Sequence, residues 1–353
     1  MKILDKYILL SIFKSSLSIM VALVIIFSSF QFIEELEEIG KERYTFEVAI
    51  EYILLLIPSI FNSLVVLSLL IGTVFSLGQL NSNKELQIFH TASISQRGLI
   101  EKTLKFPFLI SIILFTFLES ITPQTLTFAN QIKNQSLGKN SYQDSNRAWF
   151  KKDNEILFMA KDKNSNYDIK VFNIEGEKLL SYLESEGGIF FGTDIVAVKS
   201  KKVEIKNNDN FITSIESSID SNVKFNLDFE EIESLKKNVK TMSLLELLKI
   251  ANLSYQDQNN EKEIFLEIIS RIIRPFTLIG MILVALPFVL NTQRDVSIGK
   301  RVLLSTVIGT ITHLLTKISS VVSLKFDPIS IIGPILPTLI LILLGSIIIK
   351  TRL

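Results

Sequence analysis

A helix needs about 20 consecutive apolar residues to cross a hydrocarbon core of roughly 30 Å. Six stretches of this 353-residue sequence supply them, at 7–33, 52–80, 106–122, 264–290, 302–324 and 329–349. The third is short, and Pro107 falls in its first turn, where no N–H is needed. The first follows Lys2 and Lys6, as the core of a signal peptide would. It is too long for one and no small-residue cleavage site follows, so it reads as a retained helix.

Composition enters because it conflicts with this at first sight. Mean hydropathy is +0.38, yet 21 % of the residues are charged. The two agree because the charges are segregated: residues 124–265 hold 19 basic and 22 acidic side chains, while the other 211 residues hold 32 charges. The expected protein is an α-helical membrane protein of six transmembrane helices with one polar domain inserted after the third. The expected division is 1–123 for helices one to three, with a loop at 81–105, then 124–263, then 264–353 for helices four to six.

Charge asymmetry orients the spans. Segments 1–6, 81–105, 291–301 and 350–353 carry 11 Lys/Arg and 4 Asp/Glu, whereas 34–51 and 323–328 carry 3 and 8. The positive-inside rule then puts both ends of the sequence in the cytoplasm and the polar domain outside it.

Within the polar domain, 155–160, 167–172, 188–191 and 202–206 are short β-branched or aromatic runs. Asn, Asp and Gly separate them, which predicts an antiparallel sandwich or barrel. Ser243 with Glu246 predicts a capping box opening a short helix rich in leucine. Asn259-Asn260-Glu261 reads as a hinge into the fourth span.

Several chemistries are excluded. There is no cysteine, and the two histidines, His90 and His313, are far apart, so thiolate and histidine metal sites are not expected. No cofactor is expected. No P-loop string occurs, no catalytic motif stands out, and the near-neutral charge argues against nucleic acid.

Candidate sites come from polar residues in apolar surroundings. Leu86, Phe89 and His90 share one helical face, with Glu85 beside it. That face suits docking on a cytoplasmic partner or resting on lipid headgroups. Lys14 reads as snorkelling to headgroups. Arg271 and Arg274 lie one turn apart with Glu267 a turn earlier, which fits an internal ion pair or a site for lipid phosphates. Lys317 shares a face with His313, and Glu119 is expected at the membrane interface. Phe158, Phe172, Phe190 and Phe191 are candidates for the apolar face of the β-domain.

The order of several strings along the chain resembles the LptF/LptG family of lipopolysaccharide export permeases. They include Leu4-Asp5-Lys6-Tyr7-Ile8, Leu69-Leu70-Ile71-Gly72, Lys84-Glu85-Leu86, Trp149-Phe150-Lys151-Lys152-Asp153, Arg274-Pro275, Ala285-Leu286-Pro287-Phe288, Arg294, Gly299, Gly333 and Pro337. The tryptophan strand, the second loop and the last helix are more like LptG, and His90 is more like LptF.

The resemblance implies an inner-membrane, multi-pass transport subunit with a periplasmic, jelly-roll-like domain. It implies a paired LptF-type permease, a cytoplasmic ATPase dimer (LptB), and LptC with a periplasmic bridge that receives lipopolysaccharide. Glu85, Leu86, Phe89 and His90 would couple to the ATPase. Arg271, Arg274, Lys317 and the four phenylalanines would meet lipid. Ser93 stands where the family usually has Gly. Glu34, Glu35, Glu37 and Glu38 stand where LptG-type chains carry basic residues. The alternative is another ABC-type permease or lipid transporter with an extracytoplasmic domain.

Overall fold

The computed structural model describes residues 3–85, 96–138, 147–152, 155–161, 167–175, 178–191, 194–197, 200–208, 211–219, 222–224, 239–251, 258–290, 298–325 and 332–352. The chain divides into two compact units, one of 1–137 with 265–353 and one of 138–264.

The first unit is helical. Its elements are α1 (Ile3–Leu36), α2 (Phe46–Ser82), α3 (Gln96–Ser136), α5 (Gln258–Leu290, entering from the second unit), α6 (Ile298–Lys325) and α7 (Leu336–Arg352). Five of these, all but α7, are long and apolar enough to cross a membrane. The stretch expected as a sixth span overlaps α7, which is 17 residues long, about 26 Å of helix.

Two boundaries differ from the sequence expectation. The third helix runs for 41 residues, well past 106–122. Its extensions are polar overall, but Leu99 and Ala129 within them are buried, so packing carries the helix beyond the apolar run. Asn259-Asn260-Glu261 is not a hinge: it lies in the first turn of α5. Polar residues there mark a helix starting ahead of its apolar segment rather than a break.

α2 is the centre of this unit, and buried residues recur along it from Ala49 to Leu80. Ile8, Ile12 and Met20 of α1, Leu99 and Leu118 of α3, and Leu278, Ile282, Leu286 and Val289 of α5 join its core cluster. Its buried hydroxyls are satisfied locally, Ser68 donating to the Val65 carbonyl at 3.0 Å and Thr73 to that of Leu69 at 2.6 Å. Small residues set the spacing of helices, as lipid-embedded packing requires. At Gly72 a Cβ would strike Ser16 of α1, backbone included, and at Gly280 it would lie 2.8 Å from Leu341 of α7. Thr277 and Thr338 join α5 to α7 with a 2.7 Å hydrogen bond.

The second unit holds β1 (Arg147–Lys152), β2 (Glu155–Lys161), β3 (Tyr167–Glu175), β4 (Lys178–Phe191), β5 (Asp194–Ala197), β6 (Ser200–Asn208), β7 (Phe211–Ile219) and β8 (Asn222–Lys224). They form one antiparallel sheet in the order β1-β2-β3-β4-β5-β8, with the β6–β7 hairpin also on β4. The 14-residue β4 serves two partners on one edge: Ser181–Ser185 pairs β6 and Gly188–Phe191 pairs β5. The short helix α4 (Leu244–Ala251) follows. Ser243 and Glu246 cap it reciprocally, Ser243 N–H to Glu246 Oε2 at 2.7 Å and Glu246 N–H to Ser243 Oγ at 3.2 Å, the capping box predicted from sequence.

Candidate functional site

Polar side chains gather at both ends of the helical unit and in one cleft between them. At the end where α2 leads toward α3, Tyr7 of α1 donates to Glu85 Oε2 at 2.7 Å and Asn83 donates to Glu85 Oε1 at 3.0 Å. Lys84, next to it, has φ of 59°, a left-handed turn. Glu85 is therefore tied to the first helix and to its own turn. Leu86, Phe89 and His90 lie outside the described residues. Asp5 and Lys102 pair at 2.5 Å, Asn81 donates to the Val289 carbonyl at 3.0 Å, and buried Arg301 donates to the Gly78 carbonyl at 3.2 Å. This end thus joins α1, α2, α3, α5 and α6 through polar bonds.

At the opposite end Arg271 is buried between two carboxylates, Glu119 of α3 at 2.5 Å and Glu267 of its own helix at 2.8 Å. Glu119, expected at an interface, is instead buried, because it is the counter-ion of a buried arginine. Arg274, one turn on, is half-buried and makes no hydrogen bond or ion pair with the described residues. It lies in the field of Glu267 and Glu119 and lines a shallow cleft with Asn62, Val65 and Val66 of α2 and Ser111 and Phe115 of α3. Lys317 is exposed on α6, and both it and Arg274 lie within electrostatic reach of His313.

The acidic run resolves into separate roles. Glu35, 2 % exposed, accepts from the Tyr44 hydroxyl at 2.8 Å and from Lys133 at 2.6 Å. Lys133 also stands 4.9 Å over the Tyr52 ring, within cation–π range. Burial and the bond to Glu35 push the Tyr44 hydroxyl well above its ordinary pKa. Glu34 accepts from Gln31, and Glu38 pairs with Lys41. Among the described residues no three acidic or histidine side chains come together as a metal site.

In the β-unit, Phe158 is opposite Lys170, and Phe172 is opposite Ile156 and Tyr182. Strand alternation puts Phe158 and Phe172 on one face, where the Phe172 and Tyr182 rings stack 6.2 Å apart. The same face carries the Lys170–Glu184 pair. Phe190 and Phe191 occupy β4 opposite Ile195 and Asp194, and their side chains are outside the described set.

The family described as lipopolysaccharide export system permease LptF/LptG matches residues 6–351. The chain belongs to the LptF/LptG family. Membership fits a multi-pass, largely helical membrane protein, and makes it a permease of lipopolysaccharide export. The LptG permease of Haemophilus influenzae is 22 % identical over 348 residues, 97 % of this chain and 96 % of that one. The LptG permease of Escherichia coli K12 is 22 % identical over 344 residues, 95 % and 94 % of the two chains.

Against that family background, sequence reasoning missed Tyr7, the Glu35–Tyr44–Lys133 group and Asn62. Lys133 and Glu35 are 98 residues apart, and no local pattern links them. Asn62 had a signal, a lone amide inside an apolar run.

Proposed function

We propose that this chain is one permease of an ABC-type exporter that extracts lipopolysaccharide from the inner membrane and passes it to a periplasmic bridge. The match over 6–351 carries this reading. ATP hydrolysis comes from a separate LptB-type dimer, in keeping with a sequence that has no P-loop string. An LptF-type chain completes the permease pair, and LptC and the bridge take the cargo. α7 serves as a sixth span. Both ends of the sequence face the cytoplasm, and 124–263 is periplasmic, its strands forming a jelly-roll-like domain. The Lys/Arg excess in 1–6, 81–105, 291–301 and 350–353 supports that orientation.

Glu85, with Leu86, Phe89 and His90, couples the ATPase to the helices. The bond from Tyr7 to Glu85 gives such motion a route into α1. Arg274 and Lys317 are the cations offered to the cargo's anionic headgroup, and Arg271, held between Glu119 and Glu267, supports them from within α5. Phe158, Phe172, Phe190 and Phe191 shield its acyl chains in the β-domain.

The test is ATP hydrolysis by the purified complex, stimulated by lipopolysaccharide. Glu85→Ala lowers the stimulation while the permease still inserts, and Tyr7→Phe, which keeps the carboxylate, lowers it less. Full stimulation in Glu85→Lys removes the coupling role. A periplasm-dependent reporter fused after Asn140 reads orientation, and its silence refutes the topology. Co-purification of a different class of ATPase, with no second six-helix chain, favours another lipid exporter.

A further inference from the structure

The end of α2 is bonded sideways to three other helices. The Gly78 carbonyl accepts from Ser82 Oγ of its own helix at 2.9 Å and from Arg301 Nη1 of α6 at 3.2 Å. The Asn81 amide donates to the Val289 carbonyl of α5 at 3.0 Å. Just past the helix, Glu85 accepts from Tyr7 of α1. The partners on α5 and α6 have a common place in the chain. Val289 lies in the last turn of α5 and Arg301 in the first turn of α6, so the segment that leaves α5 at Leu290 and enters α6 at Ile298 is held to α2 at both ends. The same turn of α2 opens 81–105, and 81–105 and 291–301 both belong to the set with the Lys/Arg excess.

These attachments are not all at rest. Arg301 is 6 % exposed, and its Nε–H has no hydrogen-bond partner among the described residues. A buried N–H without a partner is costly, so a shift of α6 that brings a second acceptor is favoured. Lys84 has φ of 59°, a left-handed backbone that a lysine keeps only where its surroundings impose it. The Val289 carbonyl is among the last four of α5, which lack partners in their own helix, and Asn81 supplies one.

We propose that 78–85 is a clamp that moves the two basic segments as one, with Arg301 and Asn81 as positioning residues that pass ATPase-driven motion from Glu85 into α6 and α5. The inference deepens the coupling role proposed for Glu85 and rests on it. Tyr7 gives the motion a route into α1, and the clamp extends it to helices that follow the β-unit in the chain. A guanidinium suits a sliding contact because it offers several N–H donors and stays charged as acceptors change. Gly78 acts through its carbonyl, since a Cβ there would lie 3.5 Å from Arg301 Cδ, an ordinary contact.

The experiment uses the permease with its co-purifying chains in nanodiscs of phosphatidylethanolamine and phosphatidylglycerol, with and without lipopolysaccharide. The sequence has no cysteine, so cysteines placed at Glu101 of α3 and Leu303 of α6, both exposed, take spin labels at known sites. In the parent, ATP with vanadate is expected to shift the distance between the labels. R301A loses the shift and R301K keeps part of it. Lipopolysaccharide-stimulated hydrolysis falls about tenfold in R301A, the scale of one charged hydrogen bond, and about fivefold in N81L. Adding R301A to Glu85→Ala lowers it little further, because both act through one turn. Thermal midpoints and ATPase co-purification stay near the parent's, and if R301A fails to insert, R301K and N81L carry the comparison. Absent stimulation in the parent overturns the permease reading, while a label shift that R301A abolishes still supports the clamp. A shift unchanged in R301A and N81L, losses additive with Glu85→Ala, or a parent whose labels do not respond to nucleotide overturns the clamp.

Discussion

Glu35 behaves unlike the run of carboxylates around it. It is turned inward, and Tyr44 and Lys133 complete it. Removing one member of a buried ion pair strands the other charge, at a cost of about 3–5 kcal/mol when both are fully buried. The Lys133 side chain is 24 % exposed, so water softens the loss, and Lys133→Met is expected to cost about 1–3 kcal/mol. Thermal unfolding of the detergent-purified protein checks this. Tyr44 adds a pH signature. Its folded pKa is raised, so its contribution is complete below the unfolded value near pH 10 and is lost as pH rises through the folded value. Tyr44→Phe is expected to be about 1 kcal/mol less stable near pH 8 and to lose less stability than the parent above about pH 10. Melting curves across that alkaline range decide it.

Among the elements, α4 and α2 are held in different ways. α4 has eight residues, too few to be stable alone, so its capping box matters. Ser243→Ala is expected to cost about 1 kcal/mol, seen as faster amide hydrogen exchange over 244–251. α2 depends on close approach. With Ser16 against Gly72, a side chain there has nowhere to go without moving α1. Gly72→Val is expected to cost about 1–3 kcal/mol by overpacking, read as a lower thermal midpoint. Such a position was visible in the sequence as a glycine, but its neighbour was not. The length of α3 was hidden for a related reason. Its polar extensions carry no hydropathy signal, and their burial depends on α2 and the α1–α2 turn, as when the Arg43 N–H meets the Ser136 carbonyl at 2.9 Å.

Over the whole molecule, two chain segments separated by the β-unit close into one helical unit. Arg271–Glu119 is a bond across that separation, 152 residues apart in sequence. A double-mutant cycle of Arg271→Met and Glu119→Leu is expected to show coupling of about 0.5–3 kcal/mol, the double variant losing less than the sum of the singles. Additive losses in thermal unfolding would show that the contact carries no shared energy.

What the sequence determined by itself was local or additive. Apolar runs give spans because transfer into lipid sums residue by residue along one helix. The Ser243–Glu246 box was legible because its partners are three residues apart. Family strings were legible because they keep their order along the chain. What the tertiary structure alone decided were partners far apart in sequence: Lys133 for Glu35, Glu119 for Arg271, Asn62 facing Arg274, and β6 sharing β4 with β5. A charge carries no mark of its counter-ion, and a strand carries none of its neighbour. Both are chosen by three-dimensional closure, where a buried charge or unpaired backbone group is tolerated only when a partner arrives.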